Sequence, residues 1–315
     1  MLVALAGGVG AARLLAGLVR VVAPGDVTAV VNTGDDMVLH GLHVSPDIDT
    51  VLYTLAGLSN TVTGWGVKGE SWTVMTALEA LGGETWFRLG DRDLATHLYR
   101  TQRLGDGATL SEVTAALAAA RGVDVHVLPM SDDPVRTRLT IAEAAGSYPA
   151  GAEVGFQDYF VRLGHGVAVR SVHFQGAEAS RPAPGVLDAI DSAEIVIGCP
   201  SNPILSLGPV LSVPGVREHV ARRRTRVVAV SPIVAGAALK GPADRLLREL
   251  GHDASVVGVA RLYASWAGTL VIDEKDAALA PSVEAEGVRA VVAPTVMSTS
   301  ARAAALAEAV LDAAR

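Results

Sequence analysis

This 315-residue chain manages with one cysteine, three lysines and very few aromatic residues. The lone Cys199 excludes a disulfide framework within the chain and leaves no cysteine-based metal site. Its surroundings, Ile195-Val196-Ile197-Gly198-Cys199-Pro200, read as the end of a buried strand rather than as a nucleophile. Aromatics make up only 4% of the residues, so the core must come from Val, Leu, Ile and Ala. No uninterrupted apolar run reaches membrane-spanning length, which predicts no membrane partner. Met1 to Ala6 has no basic segment before it and runs straight into a glycine turn. That fits a first buried strand better than a signal peptide, and the protein is expected to be soluble and cytoplasmic.

Excess positive charge is missing too. The net charge of −7 argues against a non-specific nucleic-acid binder. Half the residues are hydrophobic and 19% are charged, which excludes a disordered chain. What is abundant is arginine, 23 residues against Lys68, Lys240 and Lys275. Most of that bias reads as GC-rich codon usage, and Arg222-Arg223-Arg224 reads as a solvated run. A few arginines can still serve two-pronged recognition of phosphate or carboxylate.

Short apolar, β-branched runs recur at 2–5, 27–31, 123–128, 195–197, 226–230 and 288–292, most ending in Gly, Pro, Asn or Ser. Between them lie helical patterns at 11–22, 110–121 and 301–314. Continuous apolar strands alternating with helices predict a doubly wound, mostly parallel Rossmann-like α/β sheet covered on both faces. The stretch 137–174 differs: strand-like pieces at 138–141 and 167–174 flank the aromatic cluster Phe156-Gln157-Asp158-Tyr159-Phe160. It is expected to be a smaller inserted α+β portion. The resulting division is a core of 1–135 with 185–315, and a covering portion of 136–184, joined by part of 51–86.

The residues that carry chemistry should sit at the carboxyl ends of such strands. Gly7-Gly8-Val9-Gly10 ends the first strand and opens a helix, where backbone N–H groups and the helix dipole favour an anion. Ala11 and Arg13 break the dinucleotide fingerprint, and no Gly-Lys-Ser/Thr makes a P-loop. Asn32-Thr33-Gly34-Asp35-Asp36 ends the second strand, and adjacent carboxylates there suit a divalent cation or a turn. Ser45-Pro46-Asp47-Ile48-Asp49-Thr50 adds two more acids. In Leu89-Gly90-Asp91-Arg92-Asp93, the helix beyond carries Asp93, His97 and Arg100 at spacings of four and three. That is either a helix cap with a surface Asp93/His97 pair or, with Arg88 and Arg92, an anion clamp. The loops at 129–134, 199–209 and 231–243 follow strands and predict an extended, nucleotide-sized cleft.

In this order, these segments, with Pro200-Ser201-Asn202-Pro203, resemble the 2-phospho-L-lactate transferase family of coenzyme F420 biosynthesis. The resemblance runs as far as Met297-Ser298-Thr299. It implies a Mg²⁺-dependent transferase that moves a phosphoenolpyruvyl or 2-phospholactyl group from a guanosine diphosphate ester to the deazaflavin Fo and releases GMP. The family's acceptor-binding positions fall on Asp49 and Arg88, and its metal near Asp35 with Asp36. Catalytic roles then go to Asp49, Asp35 and Arg92. Gly7, Gly8, Gly10, Arg13 and Asn32 join the substrate-binding set, and Ser201, Asn202 and Pro203 would hold the guanosine end. Many relatives carry Gly-Gly-Thr-Gly-Thr-Pro-Lys where this chain has Gly-Gly-Val-Gly-Ala-Ala-Arg; backbone amides must therefore do more of the binding. That change resembles actinobacterial members and suggests the enolpyruvyl donor. A homodimer is expected. The competing readings are a non-catalytic regulator that binds a nucleotide sugar and, disfavoured by the broken fingerprint, an NAD-dependent oxidoreductase.

Overall fold

The computed structural model describes residues 1–60 and 64–315. Its centre is a seven-stranded sheet in which every pairing is parallel, so it is a doubly wound α/β fold as expected. In chain order the strands are β1 (Leu2–Ala6), β2 (Val27–Val31), a hairpin of β3 (Met37–Leu39) and β4 (Leu42–Val44), and β5 (His126–Pro129). Then come β6 (Arg136–Ile141), β7 (Glu153–Gly155), β8 (Val169–Gln175), β9 (Ile195–Gly198) and β10 (Val227–Val230). A two-residue hairpin, β11 (Ile233–Val234) with β12 (Ala237–Ala238), precedes β13 (Thr269–Ile272) and β14 (Arg289–Val292). The central order is β14-β13-β10-β9-β1-β2-β5. β13 is absent from the sequence reading because its four residues lie between Gly268 and Asp273 with no longer apolar run to mark them.

Both faces of the sheet are buried, and β1 shows how. Val3 and Leu5 point into one apolar core, while Leu2, Ala4 and Ala6 point into the other, the two-residue alternation of a strand covered twice. The helices that matter for the site are α1 (Gly8–Leu18), α2 (Pro46–Leu55), α3 (Thr73–Ala80), α4 (Asp91–Gly105) and α5 (Leu110–Ala120). A separate antiparallel sheet, β7-β6-β8, lies within 136–175, and its own core includes Leu139, Val154 and Tyr159. Two hydrogen bonds tie this portion to the loop after β2: Thr137 N donates to Gly34 O at 2.8 Å, and Gln157 Nε2 to Asp35 O at 3.2 Å.

The arginine run is not the solvated one expected. Arg223 donates to the carbonyls of Asp191 and Ala193, and Arg224 to those of Ala264 and Gly287, so both tie helix ends to neighbouring loops. Among the described residues no helix is long and apolar enough to cross a membrane. The scarce aromatics are concentrated: Trp266 is fully buried with its ring 4.5 Å from that of Tyr263, beneath Gly198 of β9. Its loss would leave a large cavity in that core, so Trp266→Ala is expected to cost about 3–5 kcal/mol. A denaturant midpoint unchanged from the parent's would show that this ring is not a keystone of the core.

Candidate active site

β1 stands where the strand order reverses: β2 and β5 lie on one side, and β9, β10, β13 and β14 on the other. The crevice outside the carboxyl ends at such a reversal is where open α/β sheets bind ligands. The two loops that border it are clamped together. Ser201 Oγ donates to Gly7 O at 2.7 Å, and a Cβ on Gly10 would come within 2.2 Å of the Pro200 carbonyl oxygen. A side chain at position 10 would force these loops apart.

The loop after β2 folds back on itself and onto α2. Asn32 Oδ1 accepts from Gly34 N at 2.8 Å, while its Nδ2 donates to Asp47 Oδ2 at 2.9 Å. Ser45, just before α2, donates from Oγ to Asp36 Oδ2 at 2.7 Å. Asp35, Asp36 and Asp47 thus gather from two segments, each at most 7% exposed. Burial pushes all three carboxyls up, Asp36 to about 7 and Asp47 to about 6. The charge of Asp47 raises Asp35 further, whereas Arg136 and the Ser45 hydroxyl partly relieve Asp36.

The Gly8 N–H at the start of α1 already has an anion beside it. The Asp47 carboxylate lies against this turn, 3.7 Å from where a Cβ on Gly8 would stand, and the Gly8 amide favours its charged form at the place expected for a ligand phosphate. Arg13, one turn along α1, is half-buried and forms no ion pair among the described residues.

Asp35 Oδ1 and Asp36 Oδ1 are buried with no hydrogen-bond partner, as are the hydroxyls of Thr33 and Thr137. Unpaired buried oxygens are costly unless something positive or hydrogen-bonding meets them. The set is all oxygen and carries two adjacent carboxylates, which fits Mg²⁺. That ion is commonly held by one or two carboxylates, with waters and substrate phosphates supplying the rest.

Asp49 borders this site, and its charge helps to raise Asp36, but its own oxygens are taken. Arg100, buried on α4, binds both oxygens of the Asp49 carboxylate, Nη1 at 3.1 Å, and also reaches His43 O at 3.3 Å. The expectation that Asp49 holds the acceptor's polyol or takes its proton meets a carboxylate already neutralised by a guanidinium. Asp93 and His97 are likewise no surface pair. His97 Nε2 lies 3.3 Å from Asp93 Oδ1, which accepts from Tyr53 Oη at 2.6 Å, all of it buried between α2 and α4. Asp49, Asp93 and His97 could geometrically hold a cation, but Arg100 already supplies the positive charge there.

The Gly90–Asp93 segment serves mainly as architecture. Glu70 caps the start of α4 through the N–H groups of Arg92 and Asp93, and Asp91 accepts from Ser71 Oγ and from the first N–H groups of α3. The Ser71 hydroxyl and these amides hold the Asp91 carboxyl down at about 2. Arg88 is exposed and lies over the Trp72 ring at 4.6 Å, and the exposed Arg92 donates to Lys68 O at 3.2 Å. Asn202 spends its side-chain oxygen on the amides of Ile204 and Leu205, Pro203 is buried between them, and Asp132 caps α5 through Ser111. Cys199, its thiol pushed up to about 12 by burial, is structural. The sequence reading left Thr137, Gln157 and Arg136 out of the site. They lie more than a hundred residues downstream of Asp35, on β6 and on the helical turn after β7.

A Rossmann-like sheet with a buried acidic centre at its switch point defines the class of protein. The sequence matches the family model described as 2-phospho-L-lactate transferase CofD over residues 2–305. A phosphoenolpyruvate transferase of Streptomyces griseus is 45% identical over 315 residues, 99% of this chain and 97% of that protein. A 2-phospho-L-lactate transferase of Methanosarcina mazei is 37% identical over 307 residues, 98% of each. Among solved structures, a UPF0052-family protein of Bacillus halodurans shares the fold, with a TM-score of 0.61 at 17% identity over 98% of both chains. The chain belongs to the 2-phospho-L-lactate transferase family, and it is a transferase.

The carboxylate burial has a consequence that can be measured. With Asp36 held near 7 when folded and near 3.8 when unfolded, the folded state keeps a proton that the unfolded state gives up. Above pH 7 the fold bears the full cost of this charge, and the cost fades as pH falls towards 4. In chelator-treated buffer, Asp36→Asn should melt above the parent at pH 8, with the gap closing near pH 4. Parallel melting curves across that range would contradict the assignment.

Proposed function

We propose that this protein transfers a phosphoenolpyruvyl group, or the closely related 2-phospholactyl group, in coenzyme F420 biosynthesis. The donor is a guanosine diphosphate ester of the acid, the acceptor is a ribityl hydroxyl of the deazaflavin Fo, and GMP leaves. The enolpyruvyl donor is favoured by the 45% identity to a phosphoenolpyruvate transferase, against 37% to the methanogen's lactyl enzyme. The observation that carries the reading is the group of buried carboxylates with unpaired oxygens at the sheet's switch point.

Asp35 and Asp36 are the residues that would hold Mg²⁺, which supplies counter-charge for a diphosphate. Arg13 stands half-buried on the first turns of α1 and adds positive charge for the donor phosphates. Asp47, its carboxyl raised by burial to about 6, is ionised at neutral pH yet basic enough to take the hydroxyl proton. It suits that role better than Asp49, whose oxygens Arg100 occupies. As the ribityl oxygen bonds to the phosphorus bearing the acid, the bridge to the second phosphate breaks and GMP carries away that electron pair. Arg100 and His97, both against Asp49, keep α2 packed on α4, so the first turn of α2 presents Asp47 at a fixed height beside Gly8.

The test is one incubation with Fo, Mg²⁺ and either the enolpyruvyl or the lactyl guanosine diphosphate ester, read by mass spectrometry. A phosphodiester of Fo with GMP in equal amount, formed faster from the enolpyruvyl donor, is the expected result. Asp47→Asn should cut turnover by about 10²–10⁴-fold with donor binding retained. Unchanged Fo despite tight donor binding would point instead to a ligand-binding regulator.

A further inference from the structure

Thr137 opens β6 of the antiparallel sheet, a hundred residues along the chain from Asp35, and yet it reaches the acidic loop. Its N–H donates to Gly34 O at 2.8 Å, so its backbone is part of that loop's hydrogen bonding. A Cβ at Gly34 would lie 2.6 Å from Thr137 Oγ1, closer than real side chains pack. The bare glycine is what lets the hydroxyl descend onto the loop. The hydroxyl stands beside the Asp35 carboxylate and favours its ionised form. Thr137 is 1% exposed, and neither its Oγ1 nor Asp35 Oδ1 has a hydrogen-bond partner.

The hydroxyl that favours a charged Asp35 forms no hydrogen bond of standard geometry among the described residues, so it faces negative charge without being satisfied by it. Val would fill the same volume without the unpaired oxygen, and Thr is not a neutral exchange for it. An oxygen ligand of a hard cation explains both the position and the lack of a partner.

We propose that Thr137 Oγ1 is a third protein oxygen for the divalent cation of the Asp35–Asp36 site, which makes the antiparallel sheet a part of that site. The inference rests on the cation reading given above. It adds that cation binding clamps the covering sheet to the loop after β2, because the ligand and the Thr137–Gly34 hydrogen bond sit on one residue. Thr114 provides a control: its hydroxyl is equally buried and unpaired, but it lies on α5 and away from the acids.

Mn²⁺ binding to the full chain, followed by loss of the free aqua-ion EPR signal, separates the possibilities. The parent is expected to bind, Asp35→Asn to lose binding, Thr137→Val to bind about tenfold more weakly, and Thr137→Ser to restore the parent's affinity. Thr114→Val should bind as the parent does. Melting curves without metal check that Thr137→Val and Thr137→Ser unfold cooperatively, as the parent does. If Asp35→Asn loses Mn²⁺ and Thr137→Val keeps the parent's affinity, the Thr137 proposal falls and the cation site stands. If Asp35→Asn binds as the parent does, the cation reading falls and takes the proposal with it.

Discussion

Three carboxylates, Asp35, Asp36 and Asp47, are packed beside the end of β2 with almost no access to water, and much of the surrounding structure follows from that burial. Charges of one sign do not collect in a protein interior without cost. Here burial raises every one of the three carboxyls, and Asn32, Thr137, Ser45, Arg136, Arg100 and the Gly8 amide act against it. A fold that keeps such a site forgoes stability it could have had, a trade that active sites make routinely. Among the described residues, two of the carboxylate oxygens, Asp35 Oδ1 and Asp36 Oδ1, stay without a hydrogen-bond partner.

The scaffold explains why the acids meet. Parallel strands buried on both faces bring every β-to-α connection to one edge, and the reversal at β1 opens a crevice between the loops after β1 and β9. Small residues then allow approach: Gly10 under Pro200 and Gly34 under Thr137. Behind the acids a second buried network, Asp49–Arg100–His97–Asp93–Tyr53, fastens α2 to α4. Its charges compensate one another, which is how a buried ion pair survives; removal of one partner would leave the other stranded. The Arg100–Asp49 pair holds the two helices together, while the acids beside it keep the unpaired oxygens.

The fold class was legible in the sequence because runs such as 27–31 and 195–197 are apolar throughout, the mark of strands covered on both faces. β13 escaped because four residues between a glycine and an aspartate carry too little pattern. The meeting of Asp35 and Asp36 at the end of β2 was legible because strand-end position and adjacency point the same way. Asp49 was not, since it sits in the same motif as Asp47 and only three-dimensional packing shows that two residues along a helix turn it from the crevice towards Arg100. Asp93 and His97 at helical spacing looked like a surface pair, but the spacing cannot say which face of α4 is buried. Thr137 and Gln157 were invisible because their partners, in the loop after β2, lie more than a hundred residues away in the chain.

The central claim is that the acidic site is protonated when empty near pH 6 and gives up protons when it is filled. Calorimetric titration of the protein with Mg²⁺ at pH 6, in buffers of differing ionisation enthalpy, reads that exchange directly. The account predicts a binding heat that varies with the buffer, with about one proton released per ion, as expected for an Asp36 carboxyl held near 7. A heat that does not depend on the buffer would contradict it.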